Sequence, residues 1–126
     1  MYYIHYNPNP TGRYVGDCSI RAIAKALNIE WDKAYKIVTD KGFEMGDMPS
    51  SDSVWGSVLK QHGFSKSIIP NLCPNCYTAG MFCRDHPDGI YVLGFGNHVA
   101  TVVNGLLYDS WNSENQIPVY YWYKRR

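Results

Sequence analysis

No stretch of this chain is both apolar enough and long enough to span a bilayer, so no membrane-embedded protein is expected. The first residues, MYYIHYNPNP, lack the basic segment and apolar run of a secretory signal, which sets the expectation of a cytoplasmic protein. Charge is scarce: Asp, Glu, Lys and Arg make up 18% of the 126 residues, and the formal net charge is +1. Without a strong field to draw in a polyanion, neither nucleic acid nor an acidic membrane surface is an expected partner. The one basic run, Lys124-Arg125-Arg126, closes the chain and reads as a frayed, solvated end. Cysteine is sparse as well. Cys73, Cys76 and Cys83 cluster while Cys18 stands far away, an odd layout for a disulfide framework and one that fits a reducing compartment. No repeat and no low-complexity segment is present.

What remains is the composition of a folded domain, 45% hydrophobic and 15% aromatic, of a length that fits one domain with a real core. Residues 7–16, NPNPTGRYVG, read as an irregular lead-in loop. Asp17 stands where a helix N-cap belongs, and Ile20, Ile23, Ala24 and Leu27 follow at helical spacing. A second helix is expected at about residues 30–41, with Gly42 as its stop, and a third at about 53–62. KSIIP is a short extended piece, and a brief helix capped by Thr78 precedes Pro87. From Gly89 onward the runs IYVLGF, HVATVV, LLYDSW and VYYWYK all read as strand. Helices first and an antiparallel sheet afterwards describe an α+β domain, residues 1–126, with N-terminal helices packed on a C-terminal antiparallel sheet.

Asn104-Gly105 between apolar runs is a strong hairpin signal, because both turn positions need residues that tolerate positive φ. A two-residue turn there sets Val103 opposite Leu106, Ala100 opposite Asp109 and His98 opposite Trp111. His98, Ala100 and Val102 then share a face with Leu107, Asp109 and Trp111. His98 and Asp109 become diagonal neighbours within hydrogen-bonding reach, with Trp111 placed to shield them from water. Two polar groups on an apolar face are costly unless they satisfy each other, and a purely structural His–Asp bond would do that. Cys18 adds a second meaning. A cysteine in the first turn of a helix feels the positive end of the dipole, which favours thiolate. A histidine held by a carboxylate is the general base that such a thiol needs.

GDCSIRAIAKAL followed by GNHVATVVNGLLYDSW resembles the papain-like cysteine hydrolase superfamily, and the short length and the GDC and NHV contexts are most similar to its small bacterial and bacteriophage-encoded members. The resemblance implies a papain-like fold with Cys18 as nucleophile, His98 as base and Asp109 as the residue that orients it. It implies a thiol hydrolase cleaving a peptide, isopeptide or peptidoglycan amide bond, with a protein or peptide substrate and no cofactor required for catalysis. One departure stands out. That family usually supplies an oxyanion donor from a Gln several residues before the cysteine, and the glutamines here are Gln61 and Gln116. Asn7, Asn9 and Asp17 are the candidates to replace it, beside the Cys18 N–H. The missing Gln motivates an alternative function, an inert papain-like module that binds another protein. Asp17 also has the option of opposing the thiolate, unless it turns away.

CPNCYTAGMFCRDH has the spacing C-x2-C-x6-C-x2-H, so Cys73, Cys76, Cys83 and His86 are candidate ligands of a structural zinc that would brace the domain. The other reading makes Cys83 a buried helix residue, His86 a helix-end cap and the remaining pair turn residues. His62, in the last turn of a helix, is explained by the dipole. Gly94 and Gly96, flanking the approach to His98, read as a bulge at the sheet rim or as room for a substrate backbone.

Overall fold

The computed structural model describes residues 1–124; Arg125 and Arg126 of the basic run lie outside the described residues. In chain order the elements are β1 (Tyr3–His5), α1 (Cys18–Leu27), α2 (Trp31–Met45), α3 (Asp52–Gln61), β2 (Phe64–Ile68), α4 (Ala79–Asp85), β3 (Ile90–Gly94), β4 (Val99–Val103), β5 (Leu106–Asp109) and β6 (Tyr120–Lys124). The architecture is α+β, with the strands in one mixed six-stranded sheet ordered β1-β5-β4-β3-β6-β2. It departs from the expected antiparallel sheet at one edge, where β1 runs parallel to β5. Three residues carry too little pattern to declare a strand from the sequence. No helix among the described residues is long and apolar enough to cross a membrane.

Alternation along the strands divides the core in two. Val92 and Val99 join Ile20, Ile23, Val38, Val54, Trp55 and Leu59 under α1, α2 and α3. Leu93, Ala100, Val102 and Leu107 join Phe82 and Cys83 under α4. Each fully buried Leu, Val or Phe contributes about 1.5–3 kcal/mol of transfer free energy, so both faces of the central strands stabilise the sheet. Thr101, also buried, ties sheet to helix by donating its hydroxyl to the carbonyl of Ala22, 2.8 Å away.

Two glycine readings are corrected. Gly42 does not end α2; the helix runs on to Met45 and closes at Gly46, whose φ of 68° only glycine adopts readily. Gly42 is needed inside the helix because a Cβ there would lie 2.8 Å from the carbonyl oxygen of Asp47. Gly94 makes no bulge: it pairs in register with Val99 and Tyr120, and the Tyr120 ring lies directly over it. Gly96 takes a φ of 97° in the tight turn that Phe95 N–H closes onto the His98 carbonyl at 2.8 Å.

The β3–β4 turn presents His98, and its geometry rests on that close approach of Tyr120. A Cβ at position 94 would sit 2.0 Å from a ring carbon of Tyr120. Gly94→Ala therefore forces ring or strand to move, and is expected to cost about 1–3 kcal/mol. Denaturant midpoints of the two proteins measure the cost; equal midpoints would show that the ring is not held over the strand.

Candidate active site

The hairpin folds in the expected register, Val103 opposite Leu106, Val102 opposite Leu107 and Thr101 opposite Tyr108. Asn104 supplies the positive φ, at 50°, and Gly105 follows at 78°. His98 lies just before the first residue of β4 and Asp109 is the last of β5, so both stand at the end of the sheet where α1 begins. His98 Nε2 lies 2.7 Å from Asp109 Oδ2. The same oxygen accepts from Ser113 Oγ at 2.6 Å, while Oδ1 accepts from the Ser110 N–H at 2.8 Å and from Arg21 Nη2 at 3.2 Å. Asp109 is 0% exposed. Its backbone carbonyl also accepts from the Tyr6 N–H at 2.7 Å, immediately past β1, so the parallel edge strand fastens the main chain of Asp109.

With Nε2 committed to Asp109, Nδ1 is the ring nitrogen left for a further partner, and the half-buried Cys18 thiol is the group whose titration is coupled to the imidazole. Burial works against a thiolate at Cys18; the His98 hydrogen bond and the Val99 N–H, with the charges of His98 and Arg21, outweigh it and hold the thiol below its ordinary value. Burial likewise disfavours a charged imidazole, yet the bonds to Asp109 and Cys18 push His98 up to about 9. Asp109 shows the same contest: burial raises its pKa, and the bonds from His98, Ser113 and Ser110 bring it below the usual carboxylate value. All three shifts favour thiolate, imidazolium and carboxylate together. The His98 ring is flanked by Trp111, with centroids 5.0 Å apart, and by Phe95 at 5.9 Å. Trp111 stays 44% exposed, one side on the ring and the other in solvent.

The three oxyanion candidates fare differently. Asn7 spends its amide on the loop, donating to the carbonyls of Gly12 and Arg13 at 3.3 and 3.2 Å. Asn9 accepts from the N–H and hydroxyl of Thr11 and lines a cavity of about 500 Å³ with Trp31, Tyr35 and Ser19. None of Cys18, His98 and Asp109 lines that cavity. Asp17 holds the N-cap position without capping: its carboxylate accepts from Arg21 Nη1 at 2.6 Å and from the Trp31 indole N–H at 2.9 Å. A carboxylate bound this way has no proton to donate, so Asp17 is corrected from oxyanion donor to ion-pair partner of Arg21. The first-turn N–H groups of α1 are left without a side-chain cap.

The four residues of the second cysteine cluster are not brought together. Cys73 and Cys76 form a disulfide with each other. Cys83 is buried in α4, its thiol pushed up to about 12 by burial and by the Glu114 charge. His86 stacks on Phe82 with centroids 3.8 Å apart and sets Nδ1 2.8 Å from the Phe82 carbonyl. Among the described residues no group of three or more His, Cys, Asp or Glu is placed to hold a metal ion.

Sequence reasoning missed Arg21 and Ser113. A signal existed for the first: Arg21 sits between Ile20 and Ala22, one turn after Cys18 and four residues after Asp17, the spacing of a helical ion pair. Ser113, four residues after Asp109 in a loop, carried none.

The raised pKa of His98 is a statement about stability. Its imidazolium stabilises the fold fully below the unfolded value of about 6.5, and that contribution is lost as pH rises through about 9. Wild type should therefore exceed His98→Gln in unfolding free energy by on the order of 2–3 kcal/mol more at the acid side of this window than at its alkaline side. Chemical denaturation across the window reads the difference, and a difference independent of pH would rule the ion pair out.

Comparison with protein-family models, with curated proteins and with solved structures found no match.

Proposed function

We propose that the protein is a thiol hydrolase of the papain-like kind, akin to small bacterial and bacteriophage-encoded members, that cleaves an amide bond in a peptide, isopeptide or peptidoglycan substrate. One observation carries the reading: a buried carboxylate holds the His98 imidazole by Nε2 at 2.7 Å, and that imidazole lowers the pKa of the thiol at the start of α1.

The Cys18 thiolate attacks the carbonyl carbon, and the carbonyl π electrons move onto oxygen. The Cys18 N–H and the positive end of α1 face the resulting oxyanion. The His98 imidazolium gives its proton to the leaving nitrogen as the C–N bond breaks, leaving a thioester on Cys18. Neutral His98 then takes a proton from water, the hydroxide oxygen bonds the acyl carbon, and the C–S bond breaks to return the thiolate and release the acid. Asp109 stays ionised throughout and holds the ring. No cofactor enters these steps.

A second reading, an inert module that binds another protein, draws on the commitment of the Asn7 amide to its own loop, which leaves the oxyanion to backbone N–H groups. Losing one donor from such a site costs about 10²–10³ in rate, enough to leave a reactive thiol with little turnover.

Peptide, isopeptide and peptidoglycan-fragment substrates, followed by intact mass, distinguish the two. The hydrolase reading predicts an acyl adduct on Cys18 and a loss of about 10⁴-fold or more in Cys18→Ala, with the fold retained by circular dichroism. Full activity in Cys18→Ala would refute it. Rapid Cys18 alkylation without turnover on any of the substrates would favour the binding module.

A further inference from the structure

Arg21 lies one helical turn beyond Cys18 on the same helix and is only 5% exposed. Its guanidinium reaches two carboxylates from different parts of the chain, Asp17 ahead of α1 at 2.6 Å and Asp109 at the end of β5 at 3.2 Å. The other oxygen of Asp17 takes the indole N–H of Trp31 from α2, and the other oxygen of Asp109 takes His98 and Ser113. A continuous chain of polar contacts thus runs from α2 through α1 to β5, and ends at His98, the imidazole that lowers the pKa of Cys18. Stability alone gives little reason for it. Burying such charges costs several kcal/mol per ion, and apolar side chains of similar volume commonly replace them at no loss.

We infer that Arg21 is a positioning residue, which fixes the Asp109 carboxylate to the helix that carries the nucleophile and so sets the His98 ring against Cys18. The inference rests on the thiol-hydrolase reading and deepens it. The planar fork suits the role: two N–H groups on separate nitrogens engage two carboxylates at once, which a lysine ammonium does with far less directional control. With Oδ1 held by Arg21 and the Ser110 N–H, the carboxylate has no free rotation, and Oδ2 has one direction in which to meet Nε2. The charges that face this group are Asp17 from the lead-in, Asp109 from β5, His98 from the β3–β4 turn and Cys18 from α1, with the Tyr6 phenol alongside. Their signs alternate along the chain, and the positive charge of Arg21 favours the thiolate as well as the carboxylate.

The test is the rate of Cys18 alkylation by iodoacetamide against pH, in wild type, Arg21→Lys and Arg21→Met, each checked for folding by circular dichroism. Wild type should label with an acid limb below the ordinary thiol range. In folded Arg21→Met the limb should move up by about one pH unit, a tenfold loss of rate at any pH below it, and in Arg21→Lys by part of that. Should Arg21→Met fail to fold, Arg21→Lys, which keeps the charge, decides the matter. A merely structural arginine would lower the melting temperature and leave the limb of the folded protein where it was, which overturns the inference alone. A wild-type protein that labels as an ordinary thiol would instead overturn the hydrolase reading beneath it.

Discussion

The 2.7 Å bond between His98 and Asp109 is the contact on which the rest of this site depends. Asp109 is fully buried, and an ionised carboxylate without partners would neutralise itself there instead of remaining charged. It stays charged because His98, Ser113, Arg21 and the Ser110 N–H meet its two oxygens. Burial opposes the ionised form at each of Cys18, His98 and Asp109, and at each the hydrogen bonds and opposite charges win. None of the three charges would survive alone in this setting. They are stable as a set, and removing one changes the protonation of the others.

Topology makes the set possible. The antiparallel hairpin sets Asp109, the last residue of β5, diagonal to His98 just ahead of β4, and the close approach of Tyr120 over Gly94 fixes the turn that carries His98. The helix α1 packs on the same strand, with Thr101 bonded to the Ala22 carbonyl. Helix–sheet packing thus places the Cys18 thiol, and side-chain charge then tunes it. The uncapped start of α1 belongs to the same design. Asp17, drawn off to Arg21 and Trp31, leaves the first-turn N–H groups open toward whatever negative charge forms at Cys18.

Much of this was legible in the residues. Asn104-Gly105 announced the hairpin because few residues tolerate positive φ twice in succession, and period-two arithmetic then put His98 beside Asp109 with no further information. Apolar spacing likewise found α1, α2 and α3, since each buries a stripe, while the Thr78 cap and Pro87 marked α4. The failures have physical causes. Gly42 carries a stop signal on any local rule, but the carbonyl of Asp47 requires a glycine inside the helix, and that contact comes from the fold. β1 is three residues long and owes its place to pairing with β5. Asp17 has the chemistry of an N-cap, and a buried arginine on its own helix competed successfully for it. Tertiary partners decided each of these positions.

The central claim is that His98 holds the Cys18 thiol below its ordinary pKa, and the ultraviolet absorbance of thiolate titrated against pH tests it most directly. The other cysteines do not interfere: Cys83 titrates near 12, and Cys73 and Cys76 are joined to each other. The account predicts an absorbance step of one thiolate below the ordinary thiol range, absent in Cys18→Ser and moved upward in His98→Ala. A step at the ordinary thiol value, in the same place with and without His98, would contradict it.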